Sequence, residues 1–227
     1  MANESNSKNN EMQQFFAAHA PKIIIVLALV IAAVVGVNKY FEFQKSEAKE
    51  QANLLGKGMS YIYASQNDSA MVEFESQINS GKLKGVALAK AALYAGNVKF
   101  EKADYDGAEA LFQKSMDNAG SAALVRSGAM HGLASVKIEK SDFAGAASLL
   151  EKFVSEFGKR TGNLQDRYQK DEPADEVPTV ADAMWKLTLV YQQLGQADKA
   201  KATAEKLLKI YGDNANYADK AKKFLVE

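Results

Sequence analysis

Two imidazoles, His19 and His131, are the only side chains in this chain whose ordinary pKa suits general acid–base work near neutrality. His19 borders a long apolar run, and His131 stands between Met130 and Gly132, a setting that suits packing or surface recognition better than catalysis. A nucleophile, a base and an orienting carboxylate would have to be built around one of them, yet the chain has no Gly-x-Ser-x-Gly elbow. It also lacks a phosphate-cradling glycine loop and a His-Glu-x-x-His motif. Cysteine is absent, which excludes disulfides, Cys-ligated zinc and thiol chemistry. Carboxylates are plentiful, but Glu101, Asp104, Glu139 and Asp142 fall at repeated turns, where solvated helix ends account for them. These observations predict no enzyme, no cofactor and no metal. Lys plus Arg and Asp plus Glu number 28 each, so no global field draws the chain toward nucleic acid. What remains for it to do is to bind proteins or peptides.

The elements that would present a binding surface are helical. Only three prolines occur, Pro21, Pro173 and Pro178, and none interrupts residues 22–172. The rest is rich in Ala, Lys, Glu, Gln and Leu, all good helix formers. ADYDGAEALF at 103–112 is echoed 38 residues later by SDFAGAASLL at 141–150. Small residues keep that period at Gly58, Gly96 and Ala134, and again at Ala70, Ala108 and Ala146. Bulky apolar residues keep it at Phe74, Phe112 and Leu150. A fourth unit, displaced by 54, places Thr188, Ala200 and Ala204 in the three columns. Within a unit the small residue belongs to one helix and the Ala twelve positions on to a second, which suits an antiparallel pair crossing closely. One such pair cannot bury its apolar stripe alone, so the units must stack.

These residues resemble the tetratricopeptide repeat. Leu54, Gly58 and Tyr61 give its leading-helix pattern, as do Met184, Leu187 and Tyr191, and GNVKFEKADYDGAEALF at 96–112 is the fullest copy, departing at Lys99, where an aromatic is usual. The resemblance implies an all-α solenoid of about four helical hairpins whose leading helices line a concave wall. By register that wall carries Lys90, Leu93, Tyr94, Asn97 and Glu101 in the second unit. It carries His131 and Ser135 in the third and Trp185 and Leu189 in the fourth. Such a mixture suits an extended or helical peptide, although Tyr94 and Trp185 suit packing between units equally well. The carboxylate clamp known in some members of the family is not expected: only Asn97 fits it, and Gly128 and Gly132 offer it no partners.

IIIVLALVIAAVVGV, residues 23–37, carries no charge and no polar stripe. With Phe15, Phe16 and Lys22 before it and Tyr40, Phe41 and Phe43 after it, the segment reaches the ~30 Å of a bilayer core. A transmembrane helix at 23–43 is expected, as an uncleaved signal anchor, since no small-x-small site precedes the charged segment from Asn38. Lys8 and Lys22 flank one side and Lys39, Lys45 and Lys49 the other, so charge leaves the orientation open.

The predicted layout is a polar leader at 1–22, the span at 23–43 and a repeat domain at 44–227, closed by an amphipathic capping helix around YADKAKKFL at 217–225. The register break belongs to an insertion at 158–180. Gly158, Gly162, the late prolines and Asp171, Glu172, Asp175 and Glu176 mark it as a solvated loop, serving as a tether or as a partner-contacting arm. This whole arrangement resembles the YfgM family, single-span ancillary subunits of the bacterial Sec translocon; the long acidic insertion is where it departs. That resemblance implies a bacterial inner-membrane protein with residues 1–22 cytoplasmic and periplasmic repeats. Its implied partners are the translocon, periplasmic chaperones or secreted clients, besides the lipid bilayer at 23–43. A structural adaptor for an outer-membrane or cell-wall assembly is the alternative.

Overall fold

The computed structural model describes the backbone of residues 2–162 and 173–226, with side chains at Met12, Ala17, residues 19–22 and from residue 24 onward. The side chains of Lys8, Phe15 and Phe16 and residues 163–172, Asp171 and Glu172 among them, lie outside the described residues. Among the described residues every regular element is an α-helix. In chain order these are α1 (Ala2–Tyr63), α2 (Asn67–Asn79), α3 (Gly85–Glu101), α4 (Tyr105–Asn118) and α5 (Ala123–Glu139). They are followed by α6 (Phe143–Phe157), α7 (Val180–Gln193), α8 (Ala197–Tyr211) and α9 (Ala215–Val226).

The chain divides into two compact units, Met1–Glu50 and Gln51–Glu227. In the first, the apolar residues Ile24, Val26, Ile31 and Val35 are exposed all round the helix, and Pro21 lies inside it. One helical stretch among the described residues, His19–Tyr63, is long and apolar enough to cross a membrane. Beyond the run, Tyr40 meets Phe41 edge-on at 6.0 Å.

The second unit is a stack of helical hairpins: the end of α1 with α2, then α3 with α4, α5 with α6, and α7 with α8. Helix α9 packs on α8 and closes that end. Each hairpin turns in the same way. Ser65, Ala103, Ser141 and Gly195 all take the left-handed conformation, with φ of 57°, 59°, 60° and 68°. The next amide then reaches back over the helix end: Gln66 N to Tyr61 O, Asp104 N to Lys99 O, Asp142 N to Lys137 O and Gln196 N to Tyr191 O, all 2.8–2.9 Å. That bond satisfies a carbonyl the helix end would otherwise orphan. In the second and third hairpins an Asp then caps the following helix. Asp104 accepts from Gly107 N at 3.0 Å and Asp142 from Gly145 N at 2.9 Å.

Close crossing inside each hairpin depends on a size-matched pair. Gly58, Gly96, Ala134 and Thr188 are buried on the leading helices, and Phe74, Phe112, Leu150 and Ala204 are buried sixteen residues later on the partner helices. As the leading residue grows from Gly to Ala to Thr, its counterpart shrinks from Phe to Leu to Ala. Ala70, Ala108, Ala146 and Ala200 are buried at the starts of the second helices. A surface ladder follows the same period: Lys102 Nζ lies 2.5 Å from Asp68, and Lys140 Nζ 2.6 Å from Asp106. It stops where Ala144 and Leu194 hold the next places.

The insertion differs from the expected solvated loop at both described ends. Asp175 Oδ1 accepts from the backbone N–H of Lys159 (2.8 Å) and Arg160 (3.1 Å), while its Oδ2 accepts from the Tyr211 hydroxyl at 2.6 Å. Glu176 N donates to Phe157 O at 2.9 Å, Val177 is buried, and Val180, also buried, already opens α7. An apolar residue set between Glu176 and Pro178 supplies the anchor that the surrounding charges conceal.

Candidate interaction surface

The leading helices α3, α5 and α7 lie side by side through the stacking of their hairpins. On α3, Lys90, Asn97 and Glu101 are exposed. Leu93 and Tyr94, on the same helix, are half-buried and spent on packing. A Cβ on Gly128 of α5 would stand 3.1 Å from Leu93 Cδ2, and the Tyr94 ring stacks on Phe74 with centroids 5.8 Å apart. Two glycines at adjacent turns of α5 thus give the neighbouring side chains room, since Gly132 faces Phe112 as Gly128 faces Leu93.

Helices α5 and α7 form a denser polar cluster. His131 and Ser135, one turn apart on α5, meet Asp182 and Lys186, one turn apart on α7. The His131 Nε2–H donates to Asp182 Oδ2 at 2.8 Å, and Lys186 Nζ donates to Ser135 Oγ at 3.2 Å. Lys186 Nζ also lies 3.7 Å from Asp182. The His131 hydrogen bond, with help from the charges of Lys186 and Lys220, holds the Asp182 carboxyl below its ordinary range although burial pushes the other way. Burial pushes the Lys186 amine below its ordinary value, against the pull of Asp182. Phe153 lies under the His131 ring with centroids 6.1 Å apart.

Trp185 stands at the far side of this cluster. Its ring meets Phe224 of α9 edge-on at 6.2 Å, and Lys220 Nζ sits 6.0 Å from its centroid and 5.4 Å from that of Tyr217. The closing helix therefore contributes to the wall. Leu189, one turn on from Trp185, remains exposed. Of the residues expected on this surface, His131 and Ser135 meet α7, Trp185 lies against α9, and Lys90, Asn97 and Glu101 are exposed on α3.

Asp182, Lys186, Tyr217 and Lys220 escaped the sequence reading. The signal for two of them was present: Asp182 and Lys186 stand 54 residues after Gly128 and Gly132. Glycine at those places in the preceding unit hid the fact that the places face the wall. Tyr217 and Lys220 lie on a helix read only as a cap.

The arrangement is suited to holding charge. Ser135 and Lys186 make a hydroxyl–amine pair in which the amine donates to the hydroxyl oxygen. A separate cavity of 730 Å³ lies at the base of the insertion, with Arg160, Asp175, Pro178, Tyr211 and Tyr217 in its wall. There the Arg160 guanidinium lies over the Tyr211 ring at 4.8 Å and pairs with Asp213 at 3.0 Å.

Residues 13–167 match the model of a tetratricopeptide repeat-like domain, and residues 182–214 match that of a tetratricopeptide repeat. The first match takes in both the apolar run and the first three hairpins. Solved structures show the same fold. MamA, from residue 41 to its end, from Desulfovibrio magneticus RS-1 is 16% identical over 79% of this chain and 84% of its own, with a TM-score of 0.54. A second MamA crystal structure is 17% identical over 74% and 90%, with a TM-score of 0.51. The TPR-like repeats of a Podosopora anserina protein are 16% identical over 73% and 76%, with a TM-score of 0.52. No curated protein is similar to the chain at a significant level. Repeats of this kind are protein–protein interaction modules and generally non-enzymatic scaffolds. Matched through its apolar run and three successive hairpins, over well more than half its length, the chain belongs to the tetratricopeptide repeat-like domain family.

Proposed function

We propose that this chain is a membrane-anchored, non-enzymatic interaction module of the YfgM type, with residues 1–22 in the cytoplasm and the repeats in the periplasm of a bacterium. Residues 23–43 hold it in the inner membrane, and the leading-helix face binds secreted or unfolded clients, or chaperones, near the Sec translocon. The observation that carries this reading is the family match at residues 13–167, which takes in the apolar run as well as the first three hairpins. That run is exposed and of membrane-spanning length. Anchoring would convert a dilute encounter into a local one, with effective concentrations up to ~mM for short links.

Two measurements test this. Protease added outside spheroplasts is expected to degrade the repeats; protection of the repeats would place them in the cytosol and end the proposal. Photo-crosslinkers at the exposed positions Asn97 and Leu189 are expected to capture varied secreted polypeptides or their chaperones. Capture of one stoichiometric envelope component would favour the structural-adaptor reading instead.

A further inference from the structure

We propose that the cavity between the α7–α8 turn and the end of α9 receives one aromatic side chain of a bound polypeptide. The cavity is lined from the turn, from the second helix of the fourth hairpin and from the closing helix, so it adds a contact to those of the leading helices. The inference rests on the chain's being a protein-interaction module.

The repeat register carries it. Two places flank every hairpin turn. One lies near the end of the leading helix and is held by Ile62, Phe100, Ile138 and Gln192; the other opens the second helix and is held by Asn67, Tyr105, Phe143 and Ala197. In the second hairpin the rings of Phe100 and Tyr105 pack with centroids 5.6 Å apart, and the Tyr105 hydroxyl donates to Glu139 of the next leading helix at 3.3 Å. In the third, Ile138 and Phe143 are half-buried against the largest core cluster. Only the fourth hairpin has lost an apolar residue at the first place and has the smallest side chain at the second. There a cavity of 380 Å³ opens beside Gln192 and Ala197. Buried Ala200 and the half-buried Phe224 and Leu225 of α9 give it apolar walls. A void of about 150 Å³ is enough for benzene in an engineered core, so this volume admits one ring and its linking carbon. Removing a ring from water against such walls is favourable, and Phe224 offers it an aromatic neighbour. The sister hairpins thus fill this place with their own rings, and the fourth leaves it for a ring from outside. At the mouth Gln192 and Lys201 are exposed, and their amide and ammonium are donors for the main-chain carbonyls that flank a side chain on a polypeptide. A free aromatic molecule would make no use of them.

The test uses the full chain in micelles of an uncharged detergent and the fluorescence of Trp185, the one tryptophan present, whose ring meets Phe224 of the cavity wall edge-on at 6.2 Å. The probes are N-acetylated, C-amidated pentapeptides of Ser and Gly with Phe, Leu or Ala at the centre. A saturable change in emission is expected for the Phe peptide, with binding at least about tenfold weaker for the Ala peptide and intermediate for Leu. Ala197→Phe gives the fourth hairpin the residue of the third. It is expected to weaken the Phe peptide by at least about tenfold and, as its own ring fills the cavity, to raise the thermal midpoint by about 2–4 °C. Gln192→Ile, which narrows the cavity from the leading helix, is expected to weaken the same peptide. Equal affinity for the Phe and Ala peptides overturns the inference, as does undiminished binding of the Phe peptide in both variants or the absence of any response at Trp185. If Ala197→Phe lowers the midpoint, Gln192→Ile decides alone: weaker binding of the Phe peptide supports the inference and unchanged binding overturns it. Crosslinking of polypeptides at Asn97 and Leu189 alongside a failure here would leave the interaction reading standing and remove only this site.

Discussion

The ring of Phe112 fills the space that a side chain on Gly96 would need: a Cβ there would lie 2.9 Å from the ring. The third hairpin meets the same demand with Ala134 and Leu150, a larger residue opposite a smaller one. Gly96→Ala is therefore expected to destabilise the chain, because overpacking costs about 1–3 kcal/mol and the better helix propensity of Ala offsets about 1 kcal/mol of it. In a Phe112→Leu background the clash is relieved and only the propensity gain remains, so the same substitution should stabilise. Denaturant unfolding of the two single variants and the double variant checks this reversal of sign. Additive effects would mean that the small-residue column is not a packing device.

Ala103 sits at φ 59° in the turn between α3 and α4, a conformation that costs an L-residue about 1–2 kcal/mol. The fourth hairpin has Gly195 at the same place. Since Ala103 is exposed and no packing is lost, Ala103→Gly should raise the thermal midpoint, with a net gain of up to about 1 kcal/mol after the entropy of the unfolded glycine is counted. Ser65→Gly and Ser141→Gly should act alike. A lowered midpoint in all three would show that the turn is held by something other than its backbone conformation.

This turn also shows what the sequence could and could not reveal. Gly58, Gly96 and Ala134 form a visible column because close approach of helices restricts side-chain size. The turn column of Ser65, Ala103, Ser141 and Gly195 keeps small residues at the same spacing, but their letters do not reveal the left-handed backbone they share. Lys99 looked like a departure from the repeat at a place where an aromatic is usual. In the structure it reaches Asp104 at 2.9 Å, as Lys137 reaches Asp142 at 2.8 Å, so the two middle hairpins replace the aromatic by an ion pair to the helix cap. The polar cluster was half legible. His131, Ser135 and Trp185 follow from the register, but Asp182 and Lys186 matter through a cross-helix contact between units that differ in spacing.

Acid should weaken that contact in a defined window. The carboxyl of Asp182 is held low chiefly by the His131 hydrogen bond, so its pKa is lower in the folded chain than in the unfolded one. Its contribution is fully present above the unfolded value of about 3.9 and is lost as pH falls through the folded value. Asp182→Asn is therefore expected to lower stability at neutral pH and to flatten the acid limb between about pH 5 and 2. Thermal melts of both proteins across that range check it. Parallel pH profiles would show that the His131–Asp182 contact adds nothing to folding.

Asp175 gathers three donors at the base of the insertion, the amides of Lys159 and Arg160 and the hydroxyl of Tyr211. Replacing it by Ala leaves all three without that acceptor, which should cost about 2 kcal/mol and quicken proteolysis between residues 158 and 180. Asn provides a sharper comparison. Its carbonyl oxygen can accept from both amides while its NH₂ group donates to the Tyr211 oxygen, provided the hydroxyl turns its hydrogen away. Asp175→Asn is thus expected to stay close to wild type in both thermal stability and proteolysis, and Tyr211→Phe to fall between Asn and Ala. If Asn were as damaging as Ala, the charge of Asp175 beside Arg160, and not its acceptor geometry, would be what ties the insertion to α8.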